Sequence, residues 1–113
     1  MSDSTPDRGD VWLAALDPVA HGEQGGIRPV LVLSTIAFNR WPVGLVVVVP
    51  ITTRQRGFSH HVPIADGGLD RPSFAMPEYV RSIVQRRLSR RLGAAEPVSV
   101  AAVADWTRRI IGL

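Results

Sequence analysis

Leu45-Val46-Val47-Val48-Val49-Pro50-Ile51 is the most apolar segment of the chain, and the fold is read from it. Four consecutive valines restrict χ1 and favour extended backbone. No polar residue alternates with the apolar ones, so both faces of this strand are expected to be covered, which makes it a central strand. It ends at Thr52-Thr53, and the polar run Arg54-Gln55-Arg56-Gly57 follows.

Outward from this segment the chain reads as short strands separated by turn residues. Asp10 to Leu16 is a strand with largely apolar residues on both sides. Pro29 to Ser34 is a second, with proline tolerated at its start. Thr35 to Arg40 is too short for a full helix and is expected to turn with Phe38 inward, ending at Trp41-Pro42. His60 to Ile64 is a short fourth strand. Asp-Gly-Gly and Asp-Arg-Pro make Ala65 to Pro72 a turn. Phe74 to Met76 and Tyr79 to Val84 are extended pieces split by Pro77, and Leu88 to Leu92 is a further strand. The period then changes. Val103, Trp106, Ile110 and Leu113 fall at helical spacing between Val98 and Leu113. Pro97 suits a first helical turn, Glu96 suits the positive end of the dipole, and Gly112 closes the helix. Trp106 belongs to the core on this reading. Short connections favour antiparallel pairing. The expected architecture is mainly β: a small, strongly bent barrel with a packed C-terminal helix.

At 113 residues the chain is one domain, with 45% hydrophobic and 20% charged residues. Residues 1–7 are expected to be a disordered lead-in and residues 8–113 the folded domain. There is no basic, apolar secretion signal and no apolar run long enough to span a bilayer. There are no cysteines, so disulfides and thiol-rich zinc sites are excluded. Together these features place the protein in the cytoplasm, with no membrane partner. The net charge is +3, and all basic residues are arginine. Arginine offers planar, bidentate donors suited to phosphate. Arg81, Arg86, Arg87, Arg90 and Arg91 have no acidic residue among them. Such a run is either a solvated basic face or a field that attracts a polyanion.

Polar chemistry concentrates in Asp17 to Pro29, between two apolar runs. This loop holds Gly22, Gly25 and Gly26 and brings His21, Glu23 and Arg28 within eight residues. Loops between rigid elements are where scaffolds present functional groups, although a solvated hairpin loop has the same composition. Metal catalysis finds little support. His60 and His61 are adjacent, so on a strand they point to opposite faces and cannot chelate one ion. No HExxH, P-loop or dinucleotide fingerprint is present, and no serine has a hydrolase setting. No metal and no cofactor are expected. Arginines and hydroxyls remain. A guanidinium can neutralise a phosphorane-like transition state while a threonine donates a hydrogen bond. RNA supplies its own nucleophile, the 2′-hydroxyl, so the protein need only orient it and assist proton transfer.

Arg8-Gly9-Asp10-Val11-Trp12, Leu16-Asp17-Pro18, Glu23-Gln24-Gly25-Gly26-Ile27-Arg28-Pro29-Val30-Leu31-Val32-Leu33-Ser34, Val49-Pro50-Ile51-Thr52-Thr53, Val80-Arg81-Ser82-Ile83 and Ile111-Gly112-Leu113 occur in that order. This ordered set resembles the MazF/PemK family of toxin endoribonucleases from type II toxin–antitoxin systems. The resemblance implies a curved, SH3-like barrel of the MazF/CcdB type and a homodimer. It implies metal-independent cleavage of single-stranded RNA, leaving a 2′,3′-cyclic phosphate and a 5′-hydroxyl. It also implies a MazE-like antitoxin as partner. On the same basis Arg28 and Thr52 correspond to the catalytic pair, and Glu23 and Gln24 to residues that position RNA. His21, Thr53, Tyr79, Arg81 and Ser82 are further candidate RNA contacts.

The chain departs from the family pattern at His21-Gly22, where Gly-Ser is common, at Tyr79 in place of a glutamine, and at Val84 in place of an aspartate. Tyr79 can stack a base, as single-stranded RNA readers do. A CcdB-like inhibitor of DNA gyrase on the same fold is the alternative, with the apolar end of the helix making the contact. A barrel that binds nucleic acid without cutting it is a third reading.

Overall fold

The computed structural model describes residues 5–16 and 26–113. Seven strands, β1 (Asp10–Leu16), β2 (Gly26–Val32), β3 (Leu45–Thr52), β4 (Val62–Ile64), β5 (Ser73–Ala75), β6 (Arg81–Val84) and β7 (Leu88–Ala94), form one sheet. Two α-helices, α1 (Ile36–Asn39) and α2 (Pro97–Ile111), and two 3₁₀ turns, Pro77–Tyr79 and Gln85–Arg87, complete the elements of the described residues. Every strand pair is antiparallel, in the order β4-β5-β3-β2-β1-β7, with β6 also on β3. The result is a curled half-barrel with a C-terminal helix, as expected from the sequence. Register shifts at Val11/Trp12 and Leu13/Ala14 in the β1–β7 pair add local bend.

The valine-rich strand β3 is central because three strands pair with it. It meets β2 at Val48–Pro50, β6 along Leu45–Val48 and β5 at Ile51 and Thr52. Its odd and even residues feed two cores. Val49 and Ile51 pack with Val11, Leu31, Val62 and Val103 beneath α2. Val46 and Val48 pack with Ala14, Val30, Val32 and Ile83 on the opposite face. Alternation along a strand explains why a continuous apolar run was needed.

Helix α2 starts at Pro97 and ends at Gly112, whose φ of 88° is the left-handed cap that glycine accepts without strain. Asp105 pairs with both Arg108, at 3.3 Å, and Arg109, at 3.6 Å. The helix buries Ser99, Val103 and Thr107, and Trp106 is half-buried with Arg109 4.3 Å over its ring. The expected apolar stripe is therefore cut short. Ile110, Ile111 and Leu113 are exposed.

Other boundaries shift for identifiable reasons. Thr35 caps a genuine four-residue helix by accepting a hydrogen bond from the Phe38 amide. Asn39, not Phe38, is the buried residue there; its Nδ2 donates to the carbonyls of Pro6 (2.7 Å) and Ser34 (3.1 Å). Pro6 and Asp7, assigned to the lead-in on sequence grounds, are thereby tied to α1, and Asp7 also accepts from the Ile36 amide. Pro77–Tyr79 is a 3₁₀ turn rather than the start of a strand, since Pro77 occupies its first position. Strand β7 extends to Ala94, beyond the expected Leu92. Gly68 sits under it with φ of 75°, and a Cβ there would lie 2.1 Å from the Leu92 carbonyl oxygen. Among the described residues no helix is long and apolar enough to cross a membrane.

Candidate functional site

Arg28 lies on β2 opposite Ala14, half-buried. Thr52 is the last residue of β3, opposite Phe74, and is buried. The pairs Val30↔Pro50, Leu31↔Val49 and Val32↔Val48 define the β2–β3 register. Continued by two residues, that register line runs from Arg28 to Thr52. Both residues share the face of Val30, Val32, Val46 and Val48, the face turned away from α2. Thr52 Oγ1 accepts a 3.1 Å hydrogen bond from the Arg54 amide, which leaves the hydroxyl proton for another acceptor.

Arg81 opens β6 opposite Val48, and Ile83 two residues on is in the same core as Val48. Arg81 therefore projects from the face that carries Arg28 and Thr52. At strand rise, the four residues from Val48 to Thr52 separate the Arg81 row from the Thr52 row by about 13 Å. Tyr79 ends a 3₁₀ turn that packs against α2; its amide bonds the Met76 carbonyl, and the Met76 amide bonds the Pro50 carbonyl. Ser82 is opposite Val47 and takes the other face, so the structure separates it from Arg81. Thr53 is exposed at the start of the loop after β3. His21, Glu23 and Gln24 lie outside the described residues.

A cavity of about 330 Å³ lies elsewhere, lined by Arg8, Ala95, Val100 and Ala104 at the start of α2. A row of arginine and hydroxyl groups along one sheet face suits an extended polyanion. The arginine run contributes unequally to it. Arg91 is paired with Asp10 at 3.2 Å across the β1–β7 edge, and Arg87 donates to the Ala15 carbonyl at 3.2 Å. The absence of nearby acids in sequence did not reveal this cross-strand pairing.

A second cluster was not legible in the sequence. His60 and His61 are not on β4; they form the turn that precedes it. Their Nε2 atoms converge on one carboxylate, His60 at 3.2 Å from Glu78 Oε1 and His61 at 2.6 Å from Glu78 Oε2. The expectation that these histidines point to opposite faces is overturned, because strand alternation does not apply in a turn. Burial raises the Glu78 carboxyl, but the hydrogen bond with His61, one to its own backbone and the charges of both histidines outweigh it, leaving it below the usual 4.5. Glu78 lies seventeen residues from His61, so no local motif marks it.

Comparison with known proteins places these observations in a family. The sequence profile described as "PemK-like, MazF-like toxin of type II toxin-antitoxin system" matches residues 7–111. The chain is 31% identical to the endoribonuclease toxin MazF of Escherichia coli (strain K12) over 113 residues, covering 99% of each. A crystal structure of MazF from Deinococcus radiodurans superposes with a TM-score of 0.87 at 31% identity, covering 98% of this chain and 100% of that one. A MazE-MazF structure from the same organism gives 0.82 at 30% identity, covering 98% and 99%. The chain belongs to the PemK-like, MazF-like toxins of type II toxin–antitoxin systems.

Proposed function

We propose that this toxin is an endoribonuclease that cuts single-stranded RNA without a metal, with Arg28 and Thr52 as the catalytic pair. The reading is supported by relatives named endoribonucleases and by one observation in this chain: Arg28 and Thr52 share a register line on the sheet face that α2 leaves uncovered. In the proposed reaction the substrate's 2′-oxygen forms a bond to phosphorus as the bond from phosphorus to the 5′-oxygen breaks. The 2′-hydroxyl gives up its proton and the departing 5′-oxygen gains one. The products are a 2′,3′-cyclic phosphate and a 5′-hydroxyl. The Arg28 guanidinium neutralises charge on the non-bridging oxygens, and its high pKa suits this role better than that of a base. The Thr52 hydroxyl donates to the same oxygens.

Arg81 extends the strip along which RNA lies, with Tyr79 and Thr53 at its margins and His21, Glu23 and Gln24 on the loop before β2, while Ser82 faces away from it. The protein works as a homodimer in the cytoplasm, and its partner is a MazE-like antitoxin; a MazE-MazF complex among its structural neighbours supports that partner. Sequencing of the 5′-hydroxyl ends formed when the chain meets a long RNA in EDTA tests the reading. A CcdB-like inhibitor would leave the RNA intact.

A further inference from the structure

The geometry points to a binding site for one divalent ion of the zinc class at His60, His61 and Glu78, apart from the proposed Arg28–Thr52 pair. One donor atom from each of the three residues falls within 4.8 Å of the others. Two imidazoles and one carboxylate are a donor set that zinc accepts, with a further position left for water. Zinc–ligand bonds of about 2.0–2.1 Å place tetrahedral donors roughly 3.4 Å apart. The His60–Glu78 separation of 3.2 Å already meets this spacing. The His60 side chain is 28% exposed and the His61 side chain 4%, so His61 is the fixed ligand and His60 the one that closes by rotation.

The surroundings are built to hold these donors. Phe58 stacks on His60 with centroids 5.4 Å apart and meets His61 edge-on at 5.2 Å. Trp106 of α2 approaches His60 at 6.1 Å. These rings restrict both imidazoles, and the burial of His61 lowers the polarity around that ligand, which strengthens metal–ligand attraction. His61 engages through Nε2, the nitrogen that faces Glu78. An ion there replaces the proton now shared between His61 Nε2 and Glu78 Oε2. It ties the loop after β3, which begins beside Thr52, to the 3₁₀ turn that ends at Tyr79. Its role is a clamp, and RNA cleavage in EDTA tests a separate matter.

The test is calorimetric titration of Zn²⁺ into the untagged full-length chain after chelator treatment and dialysis at neutral pH. One ion per chain, reversed by EDTA, and a higher unfolding temperature with zinc are expected. His60→Gln should weaken binding by at least about tenfold, whereas His21→Ala should leave the stoichiometry unchanged. Co²⁺ substitution of the wild-type chain gives a readout independent of any variant: intense visible bands of a four- or five-coordinate site are expected. No uptake at micromolar zinc, equal affinity in His60→Gln, loss of binding in His21→Ala, or a weak octahedral cobalt spectrum would each overturn the site.

Discussion

The Thr52 hydroxyl accepts a hydrogen bond from the Arg54 amide at 3.1 Å, at the point where β3 gives way to a loop. This contact orients a buried side chain and directs its one proton away from the backbone. Thr52→Val keeps the shape and removes the donor. RNA cleavage should fall by about 10²–10³ in kcat, the usual loss for one oxyanion donor. Thr52→Ser should keep most of the activity. Equal loss in both variants would mean that the γ-methyl, not the hydroxyl, matters. Single-turnover cleavage of a short RNA makes the measurement.

Arg28 carries the charge of the proposed site. Arg28→Ala should abolish measurable cleavage while leaving the circular dichroism spectrum and the dimer unchanged. Arg28→Lys should rescue only weakly, because an ammonium cannot present the bidentate fork of a guanidinium. Full activity in Arg28→Ala removes this residue from the mechanism.

Arg81 shares the sheet face of Arg28 but lies rows away from it. Its removal should therefore weaken RNA binding more than chemistry. For Arg81→Ala the expected result is a raised KM, a nearly constant kcat and a salt slope of log affinity reduced by about 0.7, the share of one contact to a single-stranded phosphate. Ser82→Ala, on the opposite face, should change neither. A fall in kcat alone for Arg81→Ala would place it at the reacting phosphate instead.

Gly68 limits stability rather than activity. A methyl group there meets the Leu92 carbonyl, and the backbone has φ of 75°. Gly68→Ala combines left-handed strain with overpacking, each worth about 1–3 kcal/mol. Urea denaturation should show a loss of about 2–4 kcal/mol with little change in the activity of the folded fraction. A change under about 0.5 kcal/mol, the range of an ordinary surface substitution, would show that the turn relaxes freely.

The sequence by itself determined the class of the fold and singled out Arg28 and Thr52 for the proposed catalytic pair. Residues 45–51 required a central strand because every one of them is apolar, and the helical spacing after Pro97 required α2. Arg28 and Thr52 were legible because they lie within an ordered set of segments spread along the whole chain. Local pattern carries that kind of information, since strand and helix periods act over neighbouring residues.

Only the tertiary structure decided what those residues meet. Asp10 neutralises Arg91 because β1 and β7 are neighbours, although eighty-one positions separate the two residues. The apolar end of α2 stays exposed at Ile110 and Leu113, which no helical period can show. His60 and His61 converge on Glu78 because a turn, not a strand, holds them, and a turn cancels the alternation that had set them apart. The physical reason is common to all three. Pairing across strands and burial against a neighbouring element depend on distance in space, and the chain encodes that distance only through the complete fold.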